Sequence, residues 1–190
     1  SDAKAKPAAK KKAAPKAKAT SAKAAPRRAA TPEGAEDAPA FRSGGRSLVI
    51  VESPKKAKSI NKFLGSKFTV KASMGHVRDL PSKGKDLGID VRHGYRPTYV
   101  VMDDKKKTIN ELKEQASRAE MVYLATDPDR EGEAIAWHLQ HALGLPDEKV
   151  RRVKFFEITE KAVRDAFNHV GPIDMDTVNA QQARRFLDRF

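Results

Sequence analysis

The sequence predicts an α/β domain built on a mostly parallel sheet, and two observations carry that prediction. Short apolar runs rich in β-branched residues alternate with longer segments of 3.6-residue periodicity. Two of those runs, Leu48 to Val51 and Met121 to Ala125, are apolar throughout, as in strands covered on both faces. Each leads within two residues to an acidic residue, Glu52 or Asp127, and in open parallel sheets ligands gather at the carboxyl ends of the strands.

The elements follow in chain order. After the strand Leu48 to Val51 comes Glu52; Ser53 is a good N-cap and Pro54 suits the first helical position. Ala57, Ile60, Phe63 and Leu64 then share one helical face before Gly65. Phe68, Val70, Ala72 and Met74 alternate with polar residues, the pattern of a strand with one wetter face, closed by Gly75-His76. Residues 79 to 98, punctuated by Gly and Pro among basic and small residues, read as a long loop. Tyr99 to Met102 is a strand, and Ile109, Leu112, Ala116 and Ala119 mark an amphipathic helix. A helix with an inner stripe of Ile135, His138, Leu139, Ala142 and Leu143 follows the acidic segment and stops at Gly144 and Pro146. Val150 to Phe156 is read as a strand, and Ala162, Val163, Ala166 and Phe167 as a helix ending near Gly171-Pro172. A last helix from Asp176 carries a stripe of Ala183, Phe186, Leu187 and Phe190 that runs off the end of the chain. That unfinished stripe is expected of a piece of a larger protein.

Composition excludes several classes. With no cysteine among 190 residues there is no disulfide framework, thiolate zinc site or catalytic thiol. No stretch approaches a membrane span or a signal-peptide core, so a soluble protein is expected. The formal net charge of +13 favours a polyanionic partner, most often nucleic acid. Twelve of the Lys and Arg residues but only four acids fall in residues 1 to 46. Residues 1 to 40 hold no Val, Ile, Leu, Met or aromatic side chain to offset the entropy of ordering, so a disordered basic tail is expected there. It is either a polycation for phosphate backbones or a solubilising extension.

The densest chemistry is Asp127-Pro128-Asp129-Arg130-Glu131-Gly132-Glu133. Three alternating carboxylates, Asp127, Asp129 and Glu131, are suited to a hard divalent cation, Mg²⁺ above all, while acidic residues also favour helix N-termini in their own right. If the two apolar strands are neighbours, Glu52 joins this cluster. A carboxylate among like charges is pushed towards holding a proton unless metal screens the repulsion, which makes Glu52 a candidate proton donor. Other patterns lead nowhere. Ser53-Pro54-Lys55-Lys56 matches a Ser-x-x-Lys nucleophile without its companion motifs. His138 and His141 lack the His-Glu-x-x-His arrangement, and no dinucleotide or Walker glycine motif is present, so no nucleotide cofactor is expected.

Three segments, Val51-Glu52-Ser53-Pro54-Lys55-Lys56-Ala57-Lys58, Ser73-Met74-Gly75-His76-Val77-Arg78-Asp79-Leu80-Pro81 and Asp127 to Glu133, together resemble the opening signatures of the bacterial DNA topoisomerase I family, type IA enzymes. Asn179 to Arg189 resembles the start of that family's next domain. The resemblance implies a Rossmann-like TOPRIM domain over residues 47 to 157, then, over 158 to 190, the first helices of an α-helical domain that binds single-stranded DNA. It implies an isomerase that relaxes negatively supercoiled DNA without ATP, through a tyrosine joined to a 5′ phosphate, and hence a monomeric cytoplasmic protein on chromosomal DNA. By the same resemblance, Glu52 exchanges a proton with the leaving 3′ oxygen and Lys56 stabilises charge on the phosphate. Asp127, Asp129 and Glu131 hold Mg²⁺, while His76, Arg185, Asp188 and Arg189 face the DNA. None of Tyr95, Tyr99 and Tyr123 falls in a motif matching the nucleophile, and all three are expected to be structural. The Glu-Ser-Pro opening favours topoisomerase I over topoisomerase III, whose segment usually reads Glu-Lys-Pro. Another TOPRIM protein, such as a primase or nuclease, or a non-catalytic DNA-binding module, is the alternative.

Overall fold

A computed structural model describes residues 45–83 and 88–189. The basic tail expected over residues 1 to 46 therefore lies outside the described residues except for Gly45 and Arg46. In chain order the elements are β1 (Ser47–Val51), α1 (Pro54–Leu64), β2 (Phe68–Ala72), β3 (Arg78–Asp79), β4 (Ile89–Asp90), β5 (Arg96–Pro97), β6 (Val100–Val101), α2 (Lys106–Arg118), β7 (Met121–Leu124), α3 (Arg130–Leu143), β8 (Val150–Arg152), α4 (Glu160–Phe167) and α5 (Met175–Leu187).

The main sheet has the order β2-β1-β7-β8, and every pair in it is parallel. β1 is buried along its whole length, which explains its continuous apolar run. Its alternate side chains serve two cores. Leu48 and Ile50 pack with Val122 and Leu124 against Ile109, Leu112 and Ala116 of α2 and Ile135, Ala136 and Leu139 of α3. Val49 and Val51 pack on the opposite face with Ile60 of α1, Phe68, and Val163, Ala166 and Phe167 of α4. Helices thus cover both faces, and the strand order reverses between β1 and β7. The crevice at such a switch point, beyond the carboxyl ends of the two strands, is where ligands bind in doubly wound sheets.

Four sequence expectations are corrected. The segment from 79 to 98 is not a bare loop: β3 pairs antiparallel with β6 and β4 with β5, in two small ribbons. Both pairs are two residues long, below the length at which alternation can be read from sequence. Met74 does not continue β2; it stands at φ 62° and is half exposed, leading into Gly75 at φ 83°. β8 stops at Arg152, and Phe156, 90 % exposed, is outside any strand. Finally, α5 ends at Leu187, and the side it turns to the domain is not the expected stripe: Val178 is buried there and Gln182 and Arg185 find partners, while Ala183 and Leu187 are exposed and Phe190 lies outside the described residues. Specific hydrogen bonds outweighed the apolar stripe. Among the described residues no helix is long and apolar enough to cross a membrane.

Candidate active site

Glu52 and Asp127 meet because β1 and β7 are parallel neighbours in register, Ile50 opposite Leu124. The chain leaves β1 at Glu52, whose carbonyl accepts the Gly75 amide at 2.8 Å. Ser53 caps α1, its Oγ accepting from the Lys56 amide. That cap places Lys56 one turn from Glu52, and its Nζ donates both to Glu52 Oε1 and to Asp127 Oδ1. Where the sequence alone placed only carboxylates beside one another, the fold supplies a cation between them. Burial pulls the Lys56 ammonium down, but its bonds to Asp127 and Glu52 outweigh that and hold it above the ordinary lysine range. The second oxygen of Glu52, Oε2, is buried and has no hydrogen-bond partner among the described residues.

The acidic turn is held from behind. After β7, Thr126 donates through Oγ1 to the Gly132 carbonyl at 2.6 Å, and Asp129 Oδ1 caps α3 by accepting the Gly132 amide at 2.6 Å. Gly132 is required there: a Cβ would overlap the Asp127 backbone. Asp127, Asp129 and Glu131 therefore each have a partner of their own, namely Lys56, the Gly132 amide, and the His76 ring, whose Nε2 lies 3.0 Å from Glu131 Oε1. Among the described residues no three His, Asp or Glu side chains converge as a ready-made cluster. The donor chemistry nevertheless fits a hard cation, with three carboxylates in five residues beside the orphaned Glu52 Oε2. Asp129 also bears out the competing reading of an acid at a helix start, since it is the cap.

A cavity of about 360 Å³ opens beside this turn, bordered by His76, Tyr99, His138, Arg185 and Asp188 among others. Its lining includes the rings of His76, Tyr99 and His138. Arg78 lies over the Tyr99 and Trp137 rings and donates through Nε to His138 Nδ1 at 3.2 Å. Burial, with Arg78 and His76 close by, pushes His138 down to about 3, so it is a neutral acceptor. Arg185 forks onto Asp79, Nε to Oδ1 at 3.0 Å and Nη2 to Oδ2, and Arg189 donates to the carbonyls of Leu80 and Pro81. The two arginines expected on the DNA side thus also fasten α5 to the Arg78-Asp79-Leu80-Pro81 segment.

The tyrosines occupy other places. Tyr123 packs its ring against Phe68 and Phe167, on the face of the sheet away from α3. Tyr99 donates to Gln182 Oε1, and burial, reinforced by Asp79 against the opposing Arg78, drives its phenol up to about 12. Tyr95 is half exposed at φ 57°, in the ribbon of β4 and β5.

Sequence reasoning missed Arg152 and did not separate Glu133 from the acidic run. Both are almost wholly buried. Arg152 Nε lies 3.1 Å from Glu133 Oε2, and its remaining N–H groups donate to the carbonyls of Leu124, Thr126, Asp127 and Val153. Glu133 also accepts from Lys154 Nζ at 2.9 Å and from the Asp174 amide at 2.8 Å. The available signal was a pair of arginines inside an otherwise apolar run, Val150-Arg151-Arg152-Val153.

A doubly wound parallel sheet with carboxylates on the two turns at its switch point defines an α/β domain of the Toprim kind. The Toprim domain model matches residues 47–158, and the chain belongs to that family. It is 48 % identical over 172 residues to the DNA topoisomerase 1 of Escherichia coli K12 and 47 % identical over 177 residues to that of Pseudomonas aeruginosa. Each match takes in 76 % of this chain and 20 % of the relative, so the chain spans about a fifth of the length of these curated proteins. The full-length topoisomerase I structure from Thermotoga maritima superposes with a TM-score of 0.69 at 42 % identity, over 75 % of this chain and 24 % of that one. The resemblance read from the three signature segments is thereby borne out.

Proposed function

We propose that these residues form the acid and metal half of the active site of a type IA DNA topoisomerase, which relaxes negatively supercoiled DNA by cutting and rejoining one strand. The observation that carries the reading is Lys56 held between Glu52 and Asp127 at the adjoining ends of β1 and β7. A phosphodiester placed over this point meets a fixed cation for the charge on its phosphate and a carboxylate that exchanges a proton with the leaving 3′ oxygen. Glu52 Oε2, buried and unpartnered, is the atom free to take that proton. Asp127 and Asp129, with Glu131 beside them, would hold Mg²⁺, which when bound supplies positive charge near the phosphate.

The single strand runs past His76 and the cavity beside it, where Arg185, Asp188 and Arg189 line the way along α5. α4 packs on the sheet, so the helical, DNA-side part expected from residue 158 begins in earnest with α5. Tyr99 is bonded to Gln182, Tyr123 is packed between Phe68 and Phe167, and Tyr95 stands in the β4–β5 ribbon, so the tyrosine that attacks the phosphate is taken to come from outside these residues. The 190-residue chain should therefore form no covalent DNA adduct and relax no plasmid. In the longer protein that carries it, Glu52→Gln should slow cleavage and rejoining by a factor on the order of 10² or more while DNA binding survives. An adduct on the 190-residue chain, or full relaxation by the Gln variant, would refute the reading.

A further inference from the structure

The acidic turn leaves the sheet where the ladder ends. β8 reaches only Arg152, so among the described residues the carbonyls of Thr126 and Asp127 have no strand partner beyond it. A buried backbone carbonyl needs a donor, and one side chain supplies it. The Arg152 guanidinium donates to Leu124 O at 3.0 Å, Thr126 O at 2.9 Å and Asp127 O at 2.6 Å, and to Val153 O at 2.6 Å. A buried guanidinium is in turn held in place by a charge, here Glu133 Oε2 at 3.1 Å. The other oxygen of Glu133 accepts the amide of Asp174, the residue that caps α5. Both oxygens of one buried carboxylate thus join the acidic turn to the first turn of the helix that closes the neighbouring cavity.

We infer that Arg152 and Glu133 are a positioning pair: Arg152 fixes the carbonyls around Asp127 so that the carboxylates of the turn are presented in one geometry, and Glu133 couples that turn to the docking of α5. Neither residue touches the reacting atoms. A lysine at 152 keeps the charge but not the fork, because an ammonium cannot reach carbonyls spread over four residues and a carboxylate at once. A glutamine at 133 keeps an acceptor for Asp174 but removes the charge that holds the guanidinium.

The inference rests on the proposed metal reading only for its second readout. In Arg152→Lys, amide exchange of residues 126–133 and 174–178 should quicken by about tenfold or more while the amides of β1 and α2 keep wild-type protection. Mg²⁺ affinity of the chain, by calorimetry, should weaken by roughly 10- to 100-fold, the size of effect seen when a ligand loses its supporting shell. Glu133→Gln should give the same local pattern, and serves where Arg152→Lys does not fold. Exchange that rises uniformly across the sheet would mean a general stability role, and unchanged exchange in the turn would mean no positioning; either overturns the inference. If the wild-type chain binds no Mg²⁺, the metal reading fails, and the exchange pattern alone decides the positioning pair.

Discussion

Arg185 on the last helix and Asp79 in the Gly-His-Val-Arg-Asp-Leu-Pro segment meet across 106 residues of sequence, Nε to Oδ1 at 3.0 Å with a second bond from Nη2. Burial alone would raise the Asp79 carboxyl; the Arg185 fork and the Leu80 amide outweigh it and hold Asp79 below the usual carboxylate range. Both side chains remain about a third exposed, so solvent screens the pair. A double-mutant cycle of Asp79→Asn and Arg185→Lys should give a coupling of about 1 kcal/mol, larger than most surface pairs because the fork is bidentate. It should shrink in 1 M salt. A coupling near zero would mean that α5 is held by Val178, Gln182 and Arg189 without this clamp.

Gly132 is the least replaceable residue of the turn. Gly132→Ala sets a methyl against the Asp127 backbone, which cannot give way as a flexible side chain would. The expected cost is about 2 kcal/mol or more in urea denaturation, with the loss concentrated around residues 126 to 133. A variant as stable as the parent would show that the turn relaxes freely.

Asp129 separates two roles. Its Oδ1 caps α3, and asparagine is as good a cap as aspartate, so Asp129→Asn should leave the melting temperature nearly unchanged while Mg²⁺ binding falls. Asp129→Ala should lose the binding and about 1 kcal/mol of stability as well. Equal Mg²⁺ affinity in all three proteins, measured by calorimetry, would confine Asp129 to capping.

How much of this could be read from sequence depended on the scale of the interaction. β1, α1 and α3 were legible because each carries its own signal: an unbroken apolar run, a Ser-Pro cap, a stripe closed by Gly144. The approach of Glu52 to Asp127 needed only the assumption that two buried strands adjoin. Asp129 as cap and Lys56 as bridge involve residues already in view, but their partners are set by rotamers and not by pattern. Arg152 was invisible because a buried arginine breaks the rule by which strands are read, and nothing local announces that its partners lie 25 residues away at the Asp127 carbonyl. α5 misled for the reverse reason: Ala183, Phe186 and Leu187 make a plausible inner stripe, yet Asp79 and Tyr99 supplied better partners for the polar side.

His138 gives the fold an acid-sensitive limb. It is neutral in the folded protein, pushed from an ordinary 6.5 down to about 3 mainly by burial, with Arg78 and His76 adding to it. Between those values the unfolded chain binds a proton that the folded one does not, so stability falls as pH drops from about 6.5 towards 3, by up to about 5 kcal/mol. His138→Gln cannot take up that proton, and its stability should be flatter over the same range. An acid limb of the same steepness in both proteins would place the sensitivity in other groups.

Lys56 is the cation on which the two sides of the site depend, and removing it sets a sign that can be measured. In Lys56→Met the carboxylates of Glu52 and Asp127 are left facing one another, with Glu52 only 14 % exposed and one of its oxygens already unpartnered. Two carboxylates that have lost the cation between them repel one another, and that repulsion costs the folded protein stability wherever both are ionised. The repulsion is relieved where acid neutralises the carboxylates and is fully present at neutral pH. The variant should therefore lie closest to the wild type near pH 4 and fall behind by about 1–3 kcal/mol at pH 7. Adding Mg²⁺ at pH 7 should recover part of the deficit, because a cation bound at Asp127 takes over the charge Lys56 supplied, and Glu52→Gln in the same background should recover part of it without metal. A deficit that is the same at pH 4 and pH 7 would mean that Lys56 contributes packing rather than charge, and the bridge between Glu52 and Asp127 would lose its place in the mechanism.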